Sequence, residues 1–325
     1  MEFLFVARII NLTVSTPITK LDIFDELKFS NNKDILDKII RYKDVTQDII
    51  GLLEYNSLYE GTFAYATGDS EKVKHNFNKY ETKMDKLLFL DHYMKLIQHF
   101  TNSLWLVKDN CVNTELGYLC LYDAGVEITS NSRVTYFSKT DGNRENTHFT
   151  RQEINKALSA SNELYDVEAN RTMTAAETQI KVSSNSYRVE RFFYFLQSAR
   201  SEVHLPSRIA LYCTMIESIF STSRNEMTHK ISERIAVLLG TDGEDRMRIY
   251  NVVKDAYSIR SSAVHGDLVS SRLKNYQKQK EICMRLDELL RNLAWLIIQD
   301  KTFQDVLTLK NDELEEYFIK MILKF

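Results

Sequence analysis

The chain has 325 residues, of which 44% are hydrophobic and 27% charged, and a formal net charge of -3. That composition belongs to a soluble globular protein with room for two ordinary domains or one large one, each able to bury a core. The four cysteines, Cys111, Cys120, Cys213 and Cys283, are scattered with no C-x-x-C spacing, so neither a disulfide framework nor a thiolate zinc site is indicated.

Two prolines and nine glycines in the whole chain predict long helices and few tight turns. At the N-terminus, Glu2 and Arg8 interrupt an apolar run that would otherwise suggest a signal peptide, so Phe3 to Val14 reads as a strand that meets a break at Pro17. Asp34 to Tyr42 and Asp44 to Tyr55 read as short amphipathic helices, and Gly61 to Ala66 as a second strand. From Glu71 to about Lys108, Leu87, Leu90, Met94, Ile97 and Leu104 recur at threes and fours, a long helical pattern read as one helix or two. His92 and His99 share a face there but have no third ligand nearby and are read as structural. Leu116 to Tyr122, Arg133 to Ser138 and Thr147 to Thr150 read as short strands. The Asp141-Gly142 pair marks a turn, and Thr150 with Glu153 fits a capping box opening a helix over Arg151 to Tyr165. No apolar stretch reaches the roughly 18 residues of a membrane span, so the chain is expected to be soluble and cytoplasmic.

The polar stretch from Asn170 to Asn185 predicts a boundary between a mixed α/β domain, 1–185, and a helical domain, 186–325. The fold class is therefore mostly α with a mixed α/β N-terminal part. The second domain is slightly basic and the first acidic, which permits a local nucleic-acid surface without demanding one. Its helices are expected over Arg188 to Glu202, over Pro206 to Phe220, and from about Glu226 to Leu239 with Gly240 as the stop. A fourth is capped by Asp242 and carries Ile249, Val252, Val253, Ala256, Ile259 and Ala263 as its buried stripe. A fifth spans Ser271 to Ile298, and a last one starts at Asn311.

The stretch that suggests chemistry is Y-S-I-R-S-S-A-V-H-G-D, Tyr257 to Asp267. Arg260 and His265 lie five positions apart, about 140° around an ideal helix, and converge only if the helix stops or distorts between them. Gly266 supplies a stop just past the histidine. Read structurally, Arg260 is an ion-pair partner for Glu217 or Asp255 and His265 an ordinary helix terminus. His204 and His229 are read as structural or surface residues.

This R-x4-H spacing resembles the motif of the HEPN superfamily. The wider stretch resembles its ApeA-like branch, through Met215-Ile216-Glu217-Ser218-Ile219-Phe220, the segment from His229 to Gly240, and then the motif itself. The resemblance covers about the last 140 residues. It implies a HEPN-like helical bundle acting as a homodimer and a metal-independent endoribonuclease without cofactor, in bacterial defence against phage. Arg260 and His265 are then the catalytic pair. Histidine can give or take the proton of a 2′-hydroxyl or of a leaving 5′-oxygen, and arginine matches phosphate oxygens. Ser261, Glu217 and Tyr257 are the supporting residues, with Glu217 orienting Arg260 and Tyr257 stacking one turn away. Asp267 stands where minimal HEPN toxins carry a tyrosine. Arg272, Lys274, Lys278 and Lys280, near the start of the fifth helix, are the expected contacts to the RNA backbone. The alternative is a dimeric module that binds RNA or a partner protein without cutting. A trigger acting at the first domain is a further expectation.

Overall fold

The computed structural model describes residues 2–24, 27–69, 84–122, 125–132, 136–168, 188–223, 227–266 and 270–324. The chain divides into two compact units. The first comprises Met1–Tyr136 and Glu145–Asn162, the second Phe137–Arg144 and Glu163–Phe325. The boundary expected near residue 185 falls in 169–187, outside the described residues.

The first unit is built on a six-stranded antiparallel sheet in the order β3-β4-β5-β1-β6-β7, formed by β1 Glu2–Ile10, β3 Leu21–Phe24, β4 Leu27–Ser30, β5 Thr62–Asp69, β6 Asn113–Tyr122 and β7 Val126–Ser132. β1 is central and buried on both faces, which is why it reads as a continuous apolar run rather than an alternation. Its odd residues face helix α4, Met84–Val107, where Phe5 stacks on Tyr93 with ring centroids 4.8 Å apart and Phe3 meets Phe89 edge-on at 5.1 Å. Its even residues, Leu4 and Val6, pack with Leu36, Ile40, Tyr55 and Leu58 under three short helices, α1 Lys33–Ile39, α2 Lys43–Ile50 and α3 Leu52–Leu58.

Several expectations are corrected here. The single strand over Phe3 to Val14 is interrupted at Asn11, which has φ 59°, so that β2 Leu12–Val14 leaves the main sheet and pairs in parallel with β8 Thr147–Phe149. One helix over Asp44 to Tyr55 is in fact two, broken at Gly51, whose φ of 100° a residue with a side chain rarely adopts. The long helical pattern is present as α4 from Met84 on, and its expected first part, from Glu71 to 83, lies outside the described residues. Of Arg133 to Ser138, residues 133–135 are outside the described residues and 136–138 form no strand. The strand there is β7, one turn earlier. The capping box is present, with Glu153 N–H donating to Thr150 Oγ1 at 3.2 Å and Thr150 N–H to Glu153 Oε2 at 2.8 Å, at the head of α5 Arg151–Glu168.

The second unit is a helical bundle of α6 Arg188–Ser201, α7 Leu205–Phe220, α8 Met227–Leu239, α9 Gly243–His265, α10 Tyr276–Gln299, α11 Lys301–Val306 and α12 Asn311–Leu323. Three buried arginines hold it together by satisfying backbone carbonyls that helix ends leave open. Arg188 donates to the carbonyls of Ser218, Ile219 and Ser221 at the end of α7 and to Asn311 Oδ1 at the start of α12. Arg208 ties in the turn at 137–144 through Ser138 and Lys139, and Arg234 joins Phe220 O, Thr222 and Glu315. No helix among the described residues is long and apolar enough to cross a membrane.

Candidate functional site

Helix α9 carries the motif, and local chemistry sets both its ends. Asp242 accepts from Asp245 N–H at 2.9 Å at the start, with Glu244 and Asp245 against the positive end of the dipole. Gly266 ends it in the left-handed region, φ 75°, with its N–H donating to Ser262 O at 3.0 Å. The helix is continuous through His265, so the stop or distortion that convergence requires is absent between Arg260 and His265 and the two stay about 140° apart around the axis. They do not converge within one chain.

Arg260 lies half-buried, with its Nη1 donating to Glu217 Oε1 on α7, the partner expected for it. Asp255, the other candidate partner, pairs instead with Arg272 at 2.7 Å. The guanidinium also stands 5.7 Å from the centre of the Tyr257 ring. Tyr257 itself is only 7% exposed, so its ring belongs to the buried side of the helix. Ile249 and Val252 are half-buried and Ala263 is exposed, so the buried stripe narrows to Val253, Ala256, Tyr257 and Ile259.

Beneath Arg260 lies Cys213, fully buried. Burial pushes its thiol well above the usual range, against the pull of Arg260. Burial likewise pushes the Tyr257 phenol far up. Glu217 adds to this, although the Tyr257 hydroxyl makes no hydrogen bond of ordinary geometry among the described residues. Both groups are therefore neutral at ordinary pH and offer no proton acceptor. His265 is exposed at the helix terminus, and Ser261 is half-buried. The site thus has a fixed cation on a neutral floor and an accessible imidazole further along the same helix.

The expected backbone contacts are distributed differently from the sequence reading. Helix α10 begins at Tyr276, capped by Asn275, so Arg272 and Lys274 precede it. Lys280 pairs with Asp141 at 3.2 Å, Lys278 with Glu281 at 3.0 Å, and Lys274 is exposed. Arg272 and Lys278 line a cleft of about 200 Å³ between α9 and α10, together with Arg248, Arg285, Asp255 and Glu281. Arg248 and Arg285 were missed. They sit seven residues before Asp255 and after Lys278, and only reading both helices for a shared polar stripe would have joined them.

A second polar group lies in the first unit, where Ser15 Oγ is 2.7 Å from His148 Nε2 and Thr13 Oγ1 3.3 Å from Nδ1. No carboxylate contacts His148 among the described residues, so the third member of a hydrolytic triad is missing. His204 meets Ser207 at 3.1 Å, and His229 packs edge-on against Tyr250. Among the described residues no group of three or more His, Cys, Asp or Glu side chains could hold a metal ion. No protein-family model, curated protein or solved structure matches the chain.

Proposed function

We propose that the chain is a HEPN-type endoribonuclease of the ApeA-like kind, acting as a cytoplasmic homodimer in bacterial defence against phage. The observation that carries this reading is the arrangement on α9: Arg260 is held half-open by Glu217 and Tyr257, and His265 is exposed at the capped end of the same helix. Because the two side chains leave the helix in different directions, the site is complete only when a second copy supplies its own pair across a two-fold axis.

In that arrangement one His265 takes the proton of the 2′-hydroxyl, and the freed oxygen attacks the adjacent phosphorus. The 5′-oxygen leaves with a proton from the imidazole of the second copy. Arg260 carries the negative charge that gathers on the phosphoryl oxygens. Glu217 engages Nη1, which leaves Nη2 and Nε for the phosphate. The products are a 2′,3′-cyclic phosphate and a 5′-hydroxyl, and the reaction so written uses no metal. The cleft lined by Arg248, Arg272, Lys278 and Arg285 is the natural path for the flanking backbone, with phosphates exchanging for Asp255 and Glu281.

Cleavage of end-labelled RNA in EDTA tests this, with the product termini identified chemically. Arg260→Ala and His265→Ala are each expected to lower turnover by at least about a hundredfold with helicity intact. A folded dimer that leaves RNA uncut, or cuts it undiminished in both variants, refutes the reading. One observation favours a non-catalytic module instead: Glu217 already matches the charge of Arg260, and acids pair with Arg272, Lys278 and Lys280. Salt-sensitive RNA binding without turnover identifies that module.

A further inference from the structure

Helix α2 turns two kinds of side chain outward. Val45 and Ile49, one turn apart, are exposed, and the apolar surface continues past the break at Gly51 through Leu52 and Leu53, with Tyr42 at its other end. Ile49 is 50% and Leu53 79% exposed. The inward face is served by other residues, Thr46 and Ile50, so the outer ones are not needed for the core. Contiguous apolar clusters of this kind are uncommon on the surface of a monomeric protein and mark contact sites.

Beside that ridge runs a second one, of Asp44 and Asp48, also a turn apart. Like charges at this spacing destabilise a helix. Neither carboxylate finds a cation among the described residues, and two basic residues adjacent in sequence are engaged elsewhere: Lys43 pairs with Asp37 at 2.5 Å and Arg41 with Glu2. Glu54 adds a third unpaired acid next to Leu53. The charge pattern selects the occupant. A second copy docked by a two-fold axis would set the acidic ridge against itself, and an anionic lipid surface would be repelled.

We propose that this face of α2 and the start of α3 is a docking site for a basic amphipathic helix of a partner protein. The apolar stripe of that helix lies on Val45, Ile49, Leu52 and Leu53, and its lysines or arginines face Asp44 and Asp48. The site belongs to the first unit and stands whether or not the second unit cuts RNA. It gives the first unit a means of receiving a protein signal.

The test uses the full chain and two fluorescein-labelled model helices of the same apolar periodicity, one with lysine and one with glutamate on the polar face, read by anisotropy. The lysine peptide is expected to bind at least about tenfold more tightly than the glutamate peptide, as opposed charges across an interface require. Leu53→Ser and Ile49→Ser should each weaken it about tenfold, the loss expected for one leucine-sized contact. The double variant Asp44→Lys, Asp48→Lys should reverse the preference. All four positions are exposed, so circular dichroism is expected to be unchanged. Equal affinity for the two peptides, or indifference to these substitutions, overturns the proposal. So does self-association abolished by Leu53→Ser, which assigns the face to a second copy, or binding to anionic vesicles in place of the lysine peptide, which assigns it to a membrane.

Discussion

Replacing Tyr257 with phenylalanine removes one oxygen atom and leaves the ring under Arg260 in place. The hydroxyl is buried and meets no partner in ordinary hydrogen-bond geometry among the described residues, although the Glu217 carboxylate is close enough to push the phenol up, so in the folded protein it has given up water for an incomplete return. A buried, unsatisfied polar group costs about 1–3 kcal/mol, and part of this is recovered through the nearby charges of Arg260 and Glu217. The substitution is therefore expected to stabilise the second unit by about 1 kcal/mol. With a urea dependence of about 2 kcal/mol per molar for a domain of this size, the unfolding midpoint should rise by roughly 0.5 M. The chain has two tryptophans. In a Trp105→Phe background Trp295 on α10 reports the second unit by its emission. A fall in stability of about 1 kcal/mol or more would mean that Tyr257 donates to Glu217 after all, and the account of how Arg260 is held would be wrong. Since cleavage as proposed uses the ring and not the hydroxyl, Tyr257→Phe should keep the nuclease activity and Tyr257→Ala should lose it.

Two further outcomes follow from the second unit. Burial works to raise the Glu315 carboxyl, but the Thr222 hydroxyl, Arg234 and Lys230 outweigh it and hold the group down at about 2. The folded value lies below the unfolded one, so the stabilisation is complete above about pH 4.5 and is lost as the pH falls toward 2. Discounted for the solvent that still reaches the carboxylate, it amounts to about 1–2 kcal/mol. Glu315→Gln should flatten that acid limb in urea titrations at stepped pH, and an unchanged limb would refute the assignment. Gly240→Ala and Gly266→Ala should separate two uses of glycine. A Cβ at Gly240 would meet the Ala236 carbonyl oxygen at 2.6 Å and the Arg246 side chain closer still, costing about 1–3 kcal/mol. At Gly266 there is open space, and only the left-handed backbone opposes alanine, at about 1 kcal/mol. Equal midpoints for the two variants would contradict this.

Helices with strong punctuation were legible from residue order alone. Asp242 and Gly266 bracket α9, Thr150 and Glu153 open α5, and Pro206 opens α7, because caps are interactions between residues three or four positions apart. Gly240 was correctly read as a stop but for a different reason, since it makes room for Arg246 and needs no left-handed turn. The short strands β3 and β4 escaped notice. At four residues each they carry almost no periodicity and exist because β5 offers them an edge.

For the candidate site the division runs along the same line. The spacing of Arg260, His265 and Gly266, and the possibility of a Glu217 partner, are contained in the order of residues. Whether the helix bends between the motif residues, how deeply Tyr257 and Cys213 are sunk, and which acid captures Arg272 were decided by packing. Those outcomes depend on what α7 and the segment before α10 bring up against α9 from 17 to 43 residues away. A local pattern determines where a helix starts and stops, because those energies come from neighbouring residues in the chain. The environment of a side chain on it is determined by residues distant in sequence, and only the tertiary structure puts them there.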